Sequence, residues 1–150
     1  MSDILLVGMG LSSWVNLANE GTAGREGIVS STESVLFAAG VSELLKRIVG
    51  RKRPILYTPE GVAVAGEAKN QQAWPSGHAT TAAALATSYW LTRNRISSGG
   101  RHDAHAWALA ASAVGVAALR VAAAKHFPSD VVSGLALGVA TAGLVHTIRF

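Results

Sequence analysis

At 150 residues the chain has the length of one domain, and hydrophobic residues make up 49% of it. Charged residues account for only 15%, below the roughly 25% usual in soluble domains. Together with a mean hydropathy of +0.31, this points to a membrane protein or to a helical domain buried on most sides. The absence of cysteine excludes disulfides and thiolate chemistry. The formal charge of +4 invites nucleic acid as a partner, but the basic residues gather in KRIVGRKRP (Lys46 to Pro54) and aromatic residues for base stacking are few. Anionic lipid headgroups or phosphate esters are the partners that remain.

The predicted elements begin with a short apolar piece over residues 4–18. Its opening, MSDILLVGMG, lacks the positive n-region of a signal peptide, so membrane insertion is expected to use internal segments. A Gly-rich loop, NEGTAGREG, comes next and completes an N-terminal unit of residues 1–31. The remainder, 32–150, reads as one helical domain with helices expected over 32–49, 76–95, 103–124 and 129–148. Thr32 is a candidate N-cap for the first and Gly50 a stop. Asp103 caps the third helix, Pro128 ends it, and Ser129 with Asp130 caps the fourth. The segment 54–74 is too broken by Pro and Gly to be one helix. The fold class is therefore all-α, a bundle of about four core helices plus the N-terminal segment.

A membrane span needs about 20 apolar residues. The fourth helix comes close and carries Gly134 and Gly138 in small-xxx-small spacing, a face suited to a homo-oligomer contact in lipid. The third is interrupted by Arg120, and the second offers a shorter run, 79–91. A soluble bundle of Ala-rich helices is the alternative.

The polar residues fall at helix ends. Lys46 and Arg53 close the first helix, Ser76 and His78 open the second, Arg120 and His126 close the third, and Asp130 opens the fourth. With successive helices antiparallel, all of these lie at one rim. Three cations beside a helix N-terminus make an anion site, with Ser76, Gly77 and His78 as close donors. Arg forks match phosphate oxygens and Lys adds a point charge. His126 and Asp130 are four apart, so the carboxylate is expected to hold one ring nitrogen and leave the other to attack. His78 is the second imidazole, placed to protonate a leaving oxygen.

Three blocks carry a family resemblance: K-x6-R-P through Lys46, Arg53 and Pro54; PSGH at Pro75 to His78; and R-x5-H-x3-D through Arg120, His126 and Asp130. Their order and spacing resemble the type-2 phosphatidic acid phosphatase family, whose superfamily includes bacterial acid phosphatases and vanadium haloperoxidases. The resemblance implies hydrolysis through a phosphohistidine, without metal or other cofactor. His126 is then the nucleophile, Asp130 its partner and His78 the general acid. Lys46, Arg53, Arg120, Ser76 and the Gly77 amide hold the phosphoryl oxygens. The expected substrate is a lipid phosphate such as phosphatidate, phosphatidylglycerol phosphate or a polyprenyl (pyro)phosphate, at a bacterial inner membrane with the site facing outward. Two departures stand out. Leu119 occupies a position where the family usually has Ser, and the family's six-helix core is here four helices and a short segment.

Other functions fit the same residues: a soluble acid phosphatase, a vanadate-dependent haloperoxidase, or a non-catalytic membrane subunit. Arg47, Arg51, Lys52 and Lys125 read as solvated or snorkelling charges, and Glu43 as an i,i+4 partner of Arg47. His102 and His105 flank Asp103 without a third metal ligand and read as loop and helix-start residues. Tyr89, Trp90 and Trp107 fit either an aromatic belt or core packing. Charge does not orient the chain, because exposed cations are expected at both rims.

Overall fold

The computed structural model describes residues 1–97 and 103–150. Five helices carry the fold: α1 (Ser2–Ala18), α2 (Gly21–Val49), α3 (Gly77–Ile96), α4 (Ala104–Ala122) and α5 (Pro128–Arg149). Between α2 and α3 the chain makes three short 3-10 turns, Pro54–Tyr57, Pro59–Val64 and Ala68–Gln71. Among the described residues there is no strand.

The last three helices start and stop close to where the sequence places them. Gly50 adopts the left-handed conformation at φ 60° that ends α2, and its N–H bonds the Lys46 carbonyl. The Asp103 side chain caps α4 by accepting from the His105 and Ala106 amides. At α5 the capping is shifted. Phe127 is the N-cap residue, and Asp130, three positions on, reaches back to accept the Phe127 amide at 2.8 Å.

The N-terminal third differs from expectation. Residues 19–27 are not a loop: α2 begins at Gly21, and only Asn19 and Glu20 separate it from α1. Thr32 is no cap but lies mid-helix, its hydroxyl donating to the Ile28 carbonyl at 2.8 Å. The junction expected between residues 31 and 32 therefore falls inside one helix. Packing overrides the low helix propensity of this Gly- and Ser-rich stretch. Gly24, Gly27, Ser30, Ser31 and Ser34 are all buried, and a Cβ on Gly27 would stand 2.4 Å from Thr92 Cγ2.

Helix α3 is the hub, packed against each of the other four. Its Ala79, Ala82, Ala83, Ala84 and Ala86 are buried, and their small size lets the neighbours close in. A second cluster of larger residues, including Met9, Leu17, Leu85, Tyr89, Leu109 and Val116, fills the space between α1, α3 and α4. Many large apolar side chains point outward instead. Ile4 is 77% exposed, Leu36 67% and Ile148 78%. Gly21–Tyr57, Ala104–Ala122 and Pro128–Arg149 are long and apolar enough to cross a membrane. The outward apolar faces favour lipid over water as the surroundings of the bundle.

The expected oligomer face is occupied within the chain. Gly134 and Gly138 lie against α3, where a Cβ on Gly134 would come within 2.7 Å of the Ser76 carbonyl oxygen. A Cβ on Gly138 would come within 2.2 Å of the Thr80 carbonyl oxygen. The two backbones touch here, so these glycines are not free to receive a second copy. Gly138→Ala is expected to destabilise by about 1–3 kcal/mol through overpacking. Gly143→Ala, with nothing within 4 Å of its Cβ, should be neutral or gain roughly 0.5–1 kcal/mol of helix stability. Thermal unfolding in detergent tests this, and equal melting temperatures for the two variants would contradict the contact.

Candidate active site

The five helices alternate in direction, so α1, α3 and α5 begin at one rim and α2 and α4 end there. Lys46 is in the last turn of α2, and its ammonium lies over the start of α3. A Cβ on Gly77 would be 2.9 Å from Lys46 Nζ, so a larger residue there would displace the end of the lysine from the start of α3. Lys46, Gly77 and His78 line a 210 Å³ cavity with Leu6, Ala39, Glu43 and Thr81. Glu43 pairs with Lys46 rather than with Arg47, because Lys46 and Glu43 share the cavity-facing side of α2 while Arg47 is exposed.

Arg53 sits just past α2, its amide bonded to the Asn70 carbonyl at 2.9 Å. Arg120, near the end of α4, donates to Ser2 Oγ at 3.2 Å. Among the described residues neither guanidinium has a carboxylate partner, since Glu43 is taken by Lys46, Asp130 by Arg51 and Asp3 by His78. The Nε atoms of Arg53 and Arg120 are buried without a hydrogen-bond partner, as are the hydroxyls of Ser76 and Ser42. The far rim is different. There Arg93 is held by Glu20 and by Asp103, Arg149 by Glu33, and Arg95 lies over the Phe150 ring. Arg101 and His102 lie outside the described residues. Half-buried His105, in the first turn of α4, packs edge-on against Tyr89, a core residue whose hydroxyl donates to Asn16. Trp90 and Trp107 meet in a T-shaped pair.

His126 is buried, with 3% exposure, in the turn before α5. Its Nδ1 meets the Ala73 carbonyl oxygen at 2.7 Å. A carbonyl only accepts, so Nδ1 carries the proton and Nε2 keeps its lone pair. Spacing assigns this orienting role to Asp130, but Asp130 Oδ2 stands 3.8 Å from Nδ1, beyond hydrogen-bond reach. The carboxylate is committed elsewhere. It accepts the Phe127 amide at 2.8 Å and Arg51 NH1 at 2.5 Å.

Arg51 is thus not a free surface charge. It bonds Ser129 Oγ as well as Asp130 and lies 4.6 Å from the Phe127 ring centre. Its carbonyl also accepts the Ala73 amide at 2.8 Å, which fixes the peptide that orients His126. The only sequence signal for it is that a buried helix-start carboxylate calls for a nearby cation, and the KRIVGRKRP run offers several. Arg47, Lys52 and Lys125 are exposed, as read from sequence. Two further residues lacked any signal. Asp3 Oδ1 pairs with His78 Nε2, and Ser42 lies near Gly77 beside Lys46.

Burial pushes the His126 imidazole down to about 4, and the positive charges of Arg120, Arg53 and Lys46 add to the effect, against the opposing Ala73 hydrogen bond. Because the charged form is the one disfavoured, His126 is neutral at any pH well above 4.

The family model of the PAP2 superfamily matches residues 27–150, most of the chain, and the protein belongs to this superfamily. It is 33% identical over 109 residues to a lipid A 1-phosphatase of Rhizobium etli (strain ATCC 51251 / DSM 11541 / JCM 21823 / NBRC 15573 / CFN 42), covering 70% of this chain and 43% of the relative. It is 32% identical over 108 residues to a lipid A 1-phosphatase of Rhizobium johnstonii (strain DSM 114642 / LMG 32736 / 3841), covering 70% and 41%. The chain spans less than half the length of these curated relatives. No solved structure gives a significant match.

In protein labelled with 15N-histidine, His126 is expected to stay neutral with its proton on Nδ1 as the pH falls from 7 to about 5, where an ordinary histidine of pKa about 6.5 is mostly charged. Arg120→Gln removes one repelling charge and should move the titration upward. A His126 titration near 6.5 in the ligand-free protein would contradict the geometry.

Proposed function

We propose that this protein is a phosphatase that hydrolyses a lipid phosphate through a phosphohistidine on His126. The observation that carries the proposal is the pair of half-buried arginines, Arg53 and Arg120, which among the described residues have no carboxylate partner and whose Nε atoms are buried without a hydrogen bond, together with an imidazole whose Nδ1 is held by the Ala73 carbonyl and whose Nε2 keeps its lone pair. Buried donors of this kind call for an acceptor, and a phosphoryl group supplies three oxygens and two negative charges. Lys46, Ser76 and the Gly77 amide at the start of α3 complete the cradle.

In the first step His126 Nε2 attacks phosphorus, the bond from phosphorus to the ester oxygen breaks, and His78 gives its proton to the departing alcohol. In the second step water attacks the phosphohistidine while His78 takes a water proton, and the P–N bond breaks to release inorganic phosphate. The Ala73 carbonyl holds the ring throughout and stabilises the charge that develops on it. Asp130 acts at one remove: it caps α5 and anchors Arg51, and its charge is 3.8 Å from the ring. Asp3 holds His78 by a side-chain hydrogen bond, which aims the acid.

The outward apolar faces favour a lipid over a small soluble phosphomonoester as substrate. Phosphatidate, phosphatidylglycerol phosphate and polyprenyl (pyro)phosphates all present the required phosphoryl group, and the relatives' name adds the 1-phosphate of lipid A. We place the protein in the bacterial inner membrane with the rim facing outward. All the residues assigned to the chemistry lie within 32–150, with Asp3 added from α1.

The reaction is expected to persist in chelator, because every step uses side chains of the chain itself. Activity lost in chelator and restored by magnesium would overturn it. His126→Ala should abolish turnover and the trapped phosphoprotein together. His78→Ala should lose about a hundred- to ten-thousand-fold on an alkyl or lipid phosphate, and much less on an activated aryl phosphate, whose leaving oxygen needs little protonation. Rapid quench with labelled substrate reads both effects. An adduct that survives His126→Ala but not His78→Ala would reverse the two roles.

A further inference from the structure

A second hollow, of 290 Å³, lies between α1, α2 and α3 and shares Leu6 and Thr81 with the cavity at Lys46 and His78. Its walls are otherwise Gly10 and Trp14 of α1, Thr32, Val35 and Leu36 of α2, and Leu85 of α3. We propose that this groove holds one hydrocarbon chain of the lipid whose phosphate is bound at the rim. The proposal rests on the phosphatase reading above and adds to it the place where substrate and protein meet along the chain.

Three observations select a hydrocarbon as the occupant. First, the polar groups of the wall are already satisfied. Thr81 Oγ1 donates to the Gly77 carbonyl at 3.0 Å, Thr32 Oγ1 to Ile28 at 2.8 Å, and Trp14 Nε1 to Ser31 Oγ at 3.2 Å. Nothing in the groove asks for a hydrogen bond, whereas the rim cavity next to it is bordered by unpartnered buried donors. The change from polar to apolar at Leu6 and Thr81 matches the joint between a phosphate headgroup and its chain.

Second, the wall residues recede from the rim together. Positions 6, 10 and 14 follow one face of α1 inward, 36, 35 and 32 do the same on α2, and 81 and 85 on α3. Leu6 to Trp14 is eight residues, about 12 Å at 1.5 Å per residue. That approaches the roughly 15 Å depth of one leaflet in a hydrocarbon core about 30 Å thick, so the groove fits a single chain running in from the surface. Third, the groove is open where it needs to be. A Cβ on Gly10 would meet nothing within 4 Å, so the backbone of α1 forms a smooth floor at mid-length. The α1 wall lies outside the residues that the superfamily model matches, whereas the α2 and α3 walls lie within them.

Gly8 gives a matched control. It is equally open, with nothing within 4 Å of its Cβ, but it borders a different hollow, with Ile4, Met9, His105 and Leu109. Gly10→Phe and Gly8→Phe therefore place the same bulk on the same helix, one inside the groove and one outside it. Leu36→Trp, at an exposed position on the α2 wall, is a second plug from another helix.

The test compares kcat/KM for dioleoyl phosphatidate, dihexanoyl phosphatidate and p-nitrophenyl phosphate in detergent micelles. Gly10→Phe and Leu36→Trp should lower the value for the dioleoyl substrate about tenfold or more, the scale on which an apolar subsite discriminates. The values for p-nitrophenyl phosphate should stay within about twofold, and the preference for long over short chains should shrink. Gly8→Phe should resemble wild type on all three. Equal losses on lipid and aryl substrates, or no loss on either, would overturn the groove, as would a Gly8→Phe effect as large as that of Gly10→Phe. A change in melting temperature alone, with unaltered chain preference, would make the groove a seat for ordinary bilayer lipid and would also overturn it. Wild-type protein that hydrolyses none of the three, nor a polyprenyl pyrophosphate, phosphatidylglycerol phosphate or lipid A 1-phosphate, would instead remove the phosphatase reading itself.

Discussion

The rest of the structure depends on the contact between α3 and α5. These two helices run parallel and touch backbone to backbone, Gly134 against the Ser76 carbonyl and Gly138 against the Thr80 carbonyl. The Ser76 amide also donates to the Asp130 carbonyl at 2.9 Å. The contact brings two helix N-termini side by side at one rim, and with them Ser76, Gly77 and His78 from one helix and the His126–Asp130 turn from the other. Larger residues at 134 or 138 would part the helices and separate the acid from the nucleophile. Small residues on α5 are thus a condition of the site and not only of the packing.

Two parallel helix starts point their positive ends the same way, and three cations join them. This arrangement is costly in a protein without a bound anion. The carboxylates at the rim lessen the cost without removing it, since each has another partner: Glu43 with Lys46, Asp130 with Arg51, Asp3 with His78. Arg53 and Arg120 stay uncompensated. Burial keeps His126 neutral and the same field adds to the effect, so the cations that attract a dianion also help to leave the nucleophile unprotonated. The far rim shows what the chain does when no ligand is to be bound: Arg93 and Arg149 are matched with carboxylates there.

Local spacing made much of this legible. The three motif blocks were readable because each is short and the up-down order of helices follows from the breaks between them. Gly50 and Asp103 announced a helix end and a helix start by their own conformational and capping preferences. Contacts between distant segments were not legible. Arg51 reaches Asp130 across 79 positions, Asp3 reaches His78 across 75, and His126 is oriented by a backbone carbonyl, Ala73, that no side-chain pattern marks. The early start of α2 was hidden for a related reason. Its glycines and serines look like loop residues by propensity, and only the close approach of Thr92 to Gly27 and of the Leu17 carbonyl to Gly24 explains why small residues stand there.

Binding of orthovanadate tests the central claim most directly, that the uncompensated cations and the neutral His126 together form a seat for a phosphoryl group in transit. Vanadate takes the five-coordinate shape of that transfer, and such mimics bind more tightly than ground-state anions. Vanadium NMR of the purified protein in chelator should show one vanadate per chain, five-coordinate in wild type. The signal should vanish in His126→Ala and weaken in Arg53→Gln and Arg120→Gln. Vanadate that stays tetrahedral and free, or that binds His126→Ala as it binds wild type, would contradict the account.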